Sequence, residues 1–387
     1  PWGDTLGNVL ARLGHRVYKE YYVNDCGNQV LSLGNSVLKN AEAAYHGDYI
    51  DKLNKEIKAT DPATTGQQAL ARIVEEIIKP SMARLGIKYD NYFYESALYQ
   101  SGEIEQAFDL LRQDELLYEQ DGAWWFRATK FGDEKDRVVK KRDGKVTYFG
   151  ADIAYHRNKF NRGFDQAINV WGADHHGDME RIRGAMEALG FKDRLKIILT
   201  QFVRLTKDGK EYRMSKRKGD YVSIDDLVKE VGKDAVRFFF LMYKAEKHIN
   251  FDINLAKERS EKNPVYYVQY AHARICSILK KAGNGGIAKD STPDFSLLKH
   301  ASELSLIKEI IYYPELLLQA GKHYDVQLIP YYAIELARKF HAFYRDCPVL
   351  GADSEQLRQS RLALILATQK ILGDALTVLG VDAPRSM

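Results

Sequence analysis

Apolar residues Leu6, Val9, Leu10 and Leu13 recur at three- and four-residue spacing and predict an opening helix, with no cap or initiating methionine before it. The next run, HRVYKEYYV, spaces Val17, Tyr21 and Val23 as in a strand and ends in NDCGNQ, a polar turn able to open a helix. Strand, polar turn and helix in succession is the unit of a parallel α/β sheet. From residue 66 to 118 the pattern reads as helical, from QQALARIVEEIIKPSMARLG to EIEQAFDLLRQDELLY. That is long for a single crossover and predicts a helical insertion over about 45–145.

Strand-like alternation returns in GAWWFRATKFG and DRVVKKRDGKVTYFG, with RDGK as a hairpin turn. QAINVWGADHHGDMERIRGAMEALG then repeats strand, polar turn and helix, and RLKIILTQFVRL supplies one more buried strand. Beyond residue 255 only helical periods follow, in NPVYYVQYAHARICSILKKAG, LKHASELSLIKEIIYYPELLLQA, VQLIPYYAIELARKFHAFYRDC and SEQLRQSRLALILATQKILGDALTVLG. The expected fold is α/β: a split, Rossmann-type parallel sheet with a helical insertion over 1–255, then an all-α bundle over 256–387.

Composition narrows this only a little. A chain of 387 residues is long for one core, and 45% hydrophobic with 28% charged residues describes an ordinary ordered protein. No apolar run approaches the roughly 20 residues of a membrane helix, and the N-terminus has no signal-peptide pattern. Cys26, Cys276 and Cys347 stand too far apart for a disulfide framework or a zinc knuckle, which fits a reducing cytoplasm. A net charge of +4 requires any polyanion site to be local.

One local site stands out. EYRMSKRKGDYVSIDD, residues 211–226, gathers Arg213, Lys216, Arg217 and Lys218 beside Gly219 in a loop that suits a polyphosphate, although a solvated basic loop has the same composition. RMSKRKG resembles the KMSKS signature of class I aminoacyl-tRNA synthetases. YYVNDCGNQ, FGDEKDRVV, TYFGADIAYH, WGADHHGDMERI, VGKDAVRFFFL and NPVYYVQYAHARICSIL, in that order, resemble blocks of the arginyl-tRNA synthetases over essentially the whole chain.

The resemblance implies an ATP-dependent ligase that activates L-arginine as arginyl-adenylate and transfers it to tRNA(Arg), with magnesium accompanying the ATP. It places Lys216 on the phosphates as the catalytic lysine, Met214 and Ser215 in the same loop, and Gly172 and His175 in the ATP site. Arg213 replaces the first lysine of the signature, which keeps the charge and alters its geometry.

Tyr148 and Asp152 suit a guanidinium, whose planar fork of donors matches a carboxylate and a phenol oxygen; the bland alternative is a helix-capping Asp152 and a sheet aromatic Tyr148. The resemblance favours the arginine clamp. It adds Asp174, Asn24 and Asp25 to the arginine pocket, where an Asx turn is the alternative for the last two. Tyr267, Tyr270 and Arg274 share a helix face suited to stacking anticodon bases, although such stripes are commonly core. The resemblance also places Met387 near the anticodon.

A HIGH-type motif is absent, and the opening PWGDTLGNVL aligns just beyond it, so the expectation is an N-terminally truncated and inactive chain whose parent is the ligase, cytoplasmic and monomeric. A noncatalytic RNA-binding paralogue and a class I ligase for another amino acid are the competing readings.

Overall fold

The structure is a computed structural model in which residues 1–212, 222–283 and 293–387 are described. The loop bearing Met214, Ser215 and Lys216 lies outside the described residues.

The chain opens with α1 (Trp2–Arg12), which buries Leu6 and Val9, and enters strand β1 (Glu20–Val23). The NDCGNQ turn leads into α2 (Gly27–Leu38), followed by α3 (Asp48–Glu56) and α4 (Pro62–Ile73). Helices α2 and α4 touch through backbone: a Cβ on Gly34 would strike the Pro62 carbonyl, and one on Gly66 would strike that of Val30. Only glycine permits so close a crossing. After α4 the helix widens into a π turn over Val74–Ile78 and resumes as α5 (Lys79–Arg84), where Pro80 cannot donate to the preceding turn.

The first correction to the hydrophobic pattern comes next. Residues 66–118 are not helical throughout, because Asn91–Tyr94 form strand β2, paired in parallel with β1 from Glu20↔Asn91 to Val23↔Tyr94. The helices between them are therefore the crossover of a parallel pair. The strand escapes a periodicity search because it has four residues, three of them aromatic, between two helical stretches.

Short α6 (Ser96–Gln100) and α7 (Glu103–Gln113) precede an antiparallel meander of β3 (Leu117–Gln120), β4 (Ala123–Phe126) and β5 (Arg137–Lys140), after which the expected RDGK turn brings Val146 back to bridge Lys140. Helix α8 (Tyr148–Asn161) leads to β6 (Ala167–Gly172), α9 (Met179–Ala188) and β7 (Leu195–Thr200), which pairs in parallel with β6. The stretch expected as one strand, RLKIILTQFVRL, is two, β7 and β8 (Val203–Lys207). β8 pairs antiparallel with β9 (Lys210–Glu211) and parallel with β10 (Ile249–Asp252), across α10 (Ile224–Val231) and α11 (Lys233–Leu241).

After α12 (Ile253–Lys257), four long helices form the bundle: α13 (Pro264–Lys281), α14 (Ala301–His323), α15 (Leu328–Asp346) and α16 (Glu355–Leu379). Contrary to the reading of apolar runs, α16 is long and apolar enough by length and composition to cross a membrane. Its Leu362, Ile365, Leu372 and Leu376 are buried in the bundle core, which accounts for that composition. The largest core joins α1 and α11 to all four bundle helices, while α7, α8, β6, β7 and α9 enclose a second one.

Candidate active site

The carboxyl ends of β1, β2 and β6 and the first turns of α8 lie together, the position where open α/β sheets hold ligands. Thr147 starts α8 by accepting a hydrogen bond from Gly150 N at 3.1 Å and donating to Val138 O at 2.8 Å. Thr147 is therefore the cap, and Asp152 lies a full turn inside the helix. Tyr148 is its first residue and stays 51% exposed.

Among the described residues the Asp152 carboxylate makes no hydrogen bond or ion pair. Burial, and then the neighbouring Glu95 carboxylate, push its pKa up to about 7. Glu95, at the end of β2 and only 4% exposed, has no ion pair among the described residues either, and burial raises its pKa as well. Tyr99 Oη donates to Glu95 at 3.5 Å, and the Asn24 amide, turned to satisfy its neighbours, donates to Glu95 at 3.2 Å and to Cys26 O at 2.9 Å. Two adjacent carboxylates with raised pKa and no ion pair among the described residues form a site suited to a cation.

Glu95 was not among the sequence candidates. It stands alone after an aromatic run that reads as helix, and only the β1–β2 pairing brings it beside Asn24 and Asp152. Asp25 stands beside them, and its oxygens accept from Ser96 N at 2.8 Å and Ser96 Oγ at 2.6 Å, tying the ends of β1 and β2 together. Both oxygens already have donors, so Asp25 shapes the pocket wall.

Gly172 ends β6, and Asp174 and His175 follow in a 3-10 turn. A Cβ on Gly172 would collide with the Asp174 carboxylate, which is exposed. His175 Nδ1 lies 3.0 Å from Asp178 Oδ2, and its ring packs 5.7 Å from Trp171. These side chains open to solvent on the same side as Asp152, which feels the charges of both Asp178 and His175. Among the described residues no group of three or more His, Cys, Asp or Glu side chains is placed to hold a metal.

In the bundle, Tyr270 Oη accepts from Arg274 at 2.7 Å, the guanidinium lies 4.8 Å over the Tyr270 ring, and His341 and Tyr344 on α15 complete an aromatic cluster with Tyr267. The C-terminal tail is held elsewhere: Gln269 donates to Asp382 O at 2.9 Å, and His272 Nδ1 lies 2.9 Å from Pro384 O. At 100° per residue these anchors occupy the side of α13 opposite Tyr267, Tyr270 and Arg274. Met387 is exposed at the end of that tail.

The profile described as "tRNA synthetases class I (R), catalytic domain" matches residues 41–254, and that described as "DALR anticodon binding domain" matches 268–387. Arginine–tRNA ligases of Moorella thermoacetica and Carboxydothermus hydrogenoformans are 42% and 43% identical over 410 residues, covering 100% of this chain and 73% of each relative. The chain belongs to the arginyl-tRNA synthetase family. A Campylobacter jejuni structure assigned as an arginyl-tRNA synthetase superposes on this synthetase chain with a TM-score of 0.88 at 33% identity, covering 100% of this chain and 88% of that one. The Thermus thermophilus arginyl-tRNA synthetase shares the fold at a TM-score of 0.81 and 23% identity, over 100% of this synthetase chain and 78% of that one.

Proposed function

We propose that the chain is an arginine–tRNA ligase region in which Asp152, Glu95 and Tyr148 choose the amino acid. The observation that carries this is the buried Glu95 and half-buried Asp152 carboxylates without an ion pair among the described residues, beside an exposed phenol, at the strand carboxyl ends of a family member. A guanidinium supplies the missing cation and enough planar donors for both carboxylates and the phenol oxygen. Lysine supplies a point charge without the fork. Citrulline has the fork's shape without the charge.

With the guanidinium held at α8, the α-carboxylate of arginine is left to attack the α-phosphorus of ATP, giving arginyl-adenylate and pyrophosphate. The terminal ribose hydroxyl of tRNA then attacks the adenylate carbonyl and releases AMP. Gly172 and His175 belong to the ATP side of this reading, with Asp174, Asn24 and Asp25 around the arginine. The lysine-rich loop with Met214, Ser215 and Lys216 takes the phosphates by its resemblance alone. Magnesium would arrive as the counter-ion of the ATP phosphates. Residues 256–387 serve the anticodon in this reading, with Tyr270 and Arg274 as the stacking surface, Tyr267 beside them, and Met387 assigned to the RNA by resemblance; residues 1–255 serve catalysis.

Calorimetric titration of this chain with arginine, lysine and citrulline, repeated for Asp152→Ala, tests the reading. Binding of arginine alone, abolished in the variant, is the expected result. Equal binding of citrulline, or arginine binding indifferent to Asp152, overturns the clamp.

A further inference from the structure

Behind the carboxylate pair lies a polar network with no role in the reading above. Lys159 is seven residues beyond Asp152 on α8, hence on the same helix face. Its ammonium has no ion pair among the described residues; it donates to Asn169 Oδ1 at 2.8 Å and sits 4.2 Å over the Tyr155 ring. A lysine only donates, so Asn169 must turn its oxygen to Lys159 and its NH2 to His156 Nε2, 2.6 Å away. That fixes the imidazole tautomer: Nδ1 carries the proton and donates to the Asp152 carbonyl at 2.7 Å. The chain of bonds from Lys159 through Asn169 and His156 therefore ends on the backbone of Asp152.

Holding a half-buried lysine without a bonded carboxylate is costly and calls for a reason. Glu20, the acid nearest in effect to Lys159, is already occupied. It accepts from both arms of Arg162 at 2.7 and 2.9 Å, from Asn91 at 2.7 Å and from Tyr155 Oη at 2.9 Å. The other acid that senses the ammonium is Asp152. Around Asp152 the charged groups are Glu95, Asp178, His175 and Lys159; burial lowers the pKa of Lys159 to about 8, so it is a cation at neutral pH and loses its charge above that. His156 is neutral, its pKa driven down to about 3 by burial and then by Lys159.

We propose that Lys159 is a positioning residue for arginine recognition: anchored by Asn169, it serves as a countercharge that favours the ionised Asp152 carboxylate while leaving the guanidinium's place free. A lysine bonded directly to Asp152 would compete with the substrate; one tethered behind it does not. The inference rests on the reading of Asp152 as the guanidinium acceptor.

The experiment is calorimetric arginine titration from pH 6 to 8.5 on the wild-type chain, Lys159→Met and Lys159→Arg. Wild-type affinity should rise through neutral pH as Asp152 ionises. In Lys159→Met the profile should move alkaline by about one unit, giving about tenfold weaker binding at pH 6.5 and converging at high pH, with Lys159→Arg following wild type. Asn169→Asp, which sets a carboxylate against the ammonium, should displace the profile in the same direction and serves if Lys159→Met does not fold. A profile that coincides with wild type, or a loss that is uniform at all pH values, overturns the role of Lys159 while leaving the clamp intact. Failure of the wild-type chain to bind arginine at all removes both.

Discussion

Glu95 and Asp152 are individually unremarkable acids in the sequence, and their chemistry arises from the buried Glu95 lying beside the half-buried Asp152. The Glu95 charge raises the cost of ionising Asp152, so removing it eases that ionisation. Glu95→Gln should therefore weaken arginine binding by roughly tenfold or more through loss of a charge-assisted contact worth about 1.5–3 kcal/mol. It should also move the rise of arginine affinity to lower pH, opposite to the shift expected for Lys159→Met. The sign follows from Asp152: a carboxylate whose pKa is raised to about 7 binds a cation progressively better as pH climbs through that value, and relief from Glu95 lowers it. Titrations between pH 5 and 8 that show an unchanged or alkaline-shifted profile in Glu95→Gln would contradict the paired-acid reading.

Among the elements, α8 carries the most of the site, because Tyr148, Asp152, His156 and Lys159 all project from it. Its register depends on Thr147, whose hydroxyl caps the helix while bonding to β5. Thr147→Ala should cost about 1 kcal/mol of stability. Tyr148 is the first helical residue, so the same change should weaken arginine binding several-fold, and Thr147→Ser should restore both. Thermal melts and arginine titrations of the two variants measure this; full arginine affinity in a destabilised Thr147→Ala would show that the cap does not set the site's geometry. TYFGADIAYH displayed the residues of this element plainly. It did not display that the capping role belongs to Thr147, since Asp and Thr are both good caps and only the backbone path out of β5 decides between them.

For the whole molecule the decisive residue is Arg237 on α11, 0% exposed among the largest side chains of the core. It donates to Leu379 O at 2.7 Å, to Leu85 O at 2.9 Å and to Asp4 Oδ2 at 2.6 Å, joining the end of α16, the end of α5 and α1 at one point. Gly380 ends α16 at φ +68 with no side chain, and a Cβ there would strike the guanidinium. Asp4 also accepts from Lys19 at 2.6 Å; burial works to raise its pKa, but the Lys19 hydrogen bond and Arg237 together hold it below the usual carboxylate range. Arg237→Met leaves Asp4 without its buried partner and should cost about 3–5 kcal/mol, seen as a lower urea midpoint. A carboxylate with a depressed folded pKa contributes stability that is present above its unfolded value of about 3.9 and is lost as pH falls through the folded one. Below about pH 4 the gap between wild type and variant should therefore narrow. A midpoint unchanged at neutral pH would mean that the hub is not holding the regions together.

The sequence by itself determined the β6–α9–β7 succession, the four bundle helices and the family, because long periodic helices and ordered polar blocks are local patterns. It also displayed Tyr148 and Asp152, four residues apart in one block. Tertiary structure decided the rest. A four-residue strand such as β2 has no period to detect, so the parallel β1–β2 pair, and with it Glu95, appears only when the chain closes. Asp25 and Ser96 find each other across that pair, and Lys159 on α8 acquires its role from Asn169 on β6. Arg237 reads in VGKDAVRFFFL as one polar residue in an apolar helix, and only the convergence of α1, α5 and α16 gives its guanidinium the acceptors that make burial tolerable.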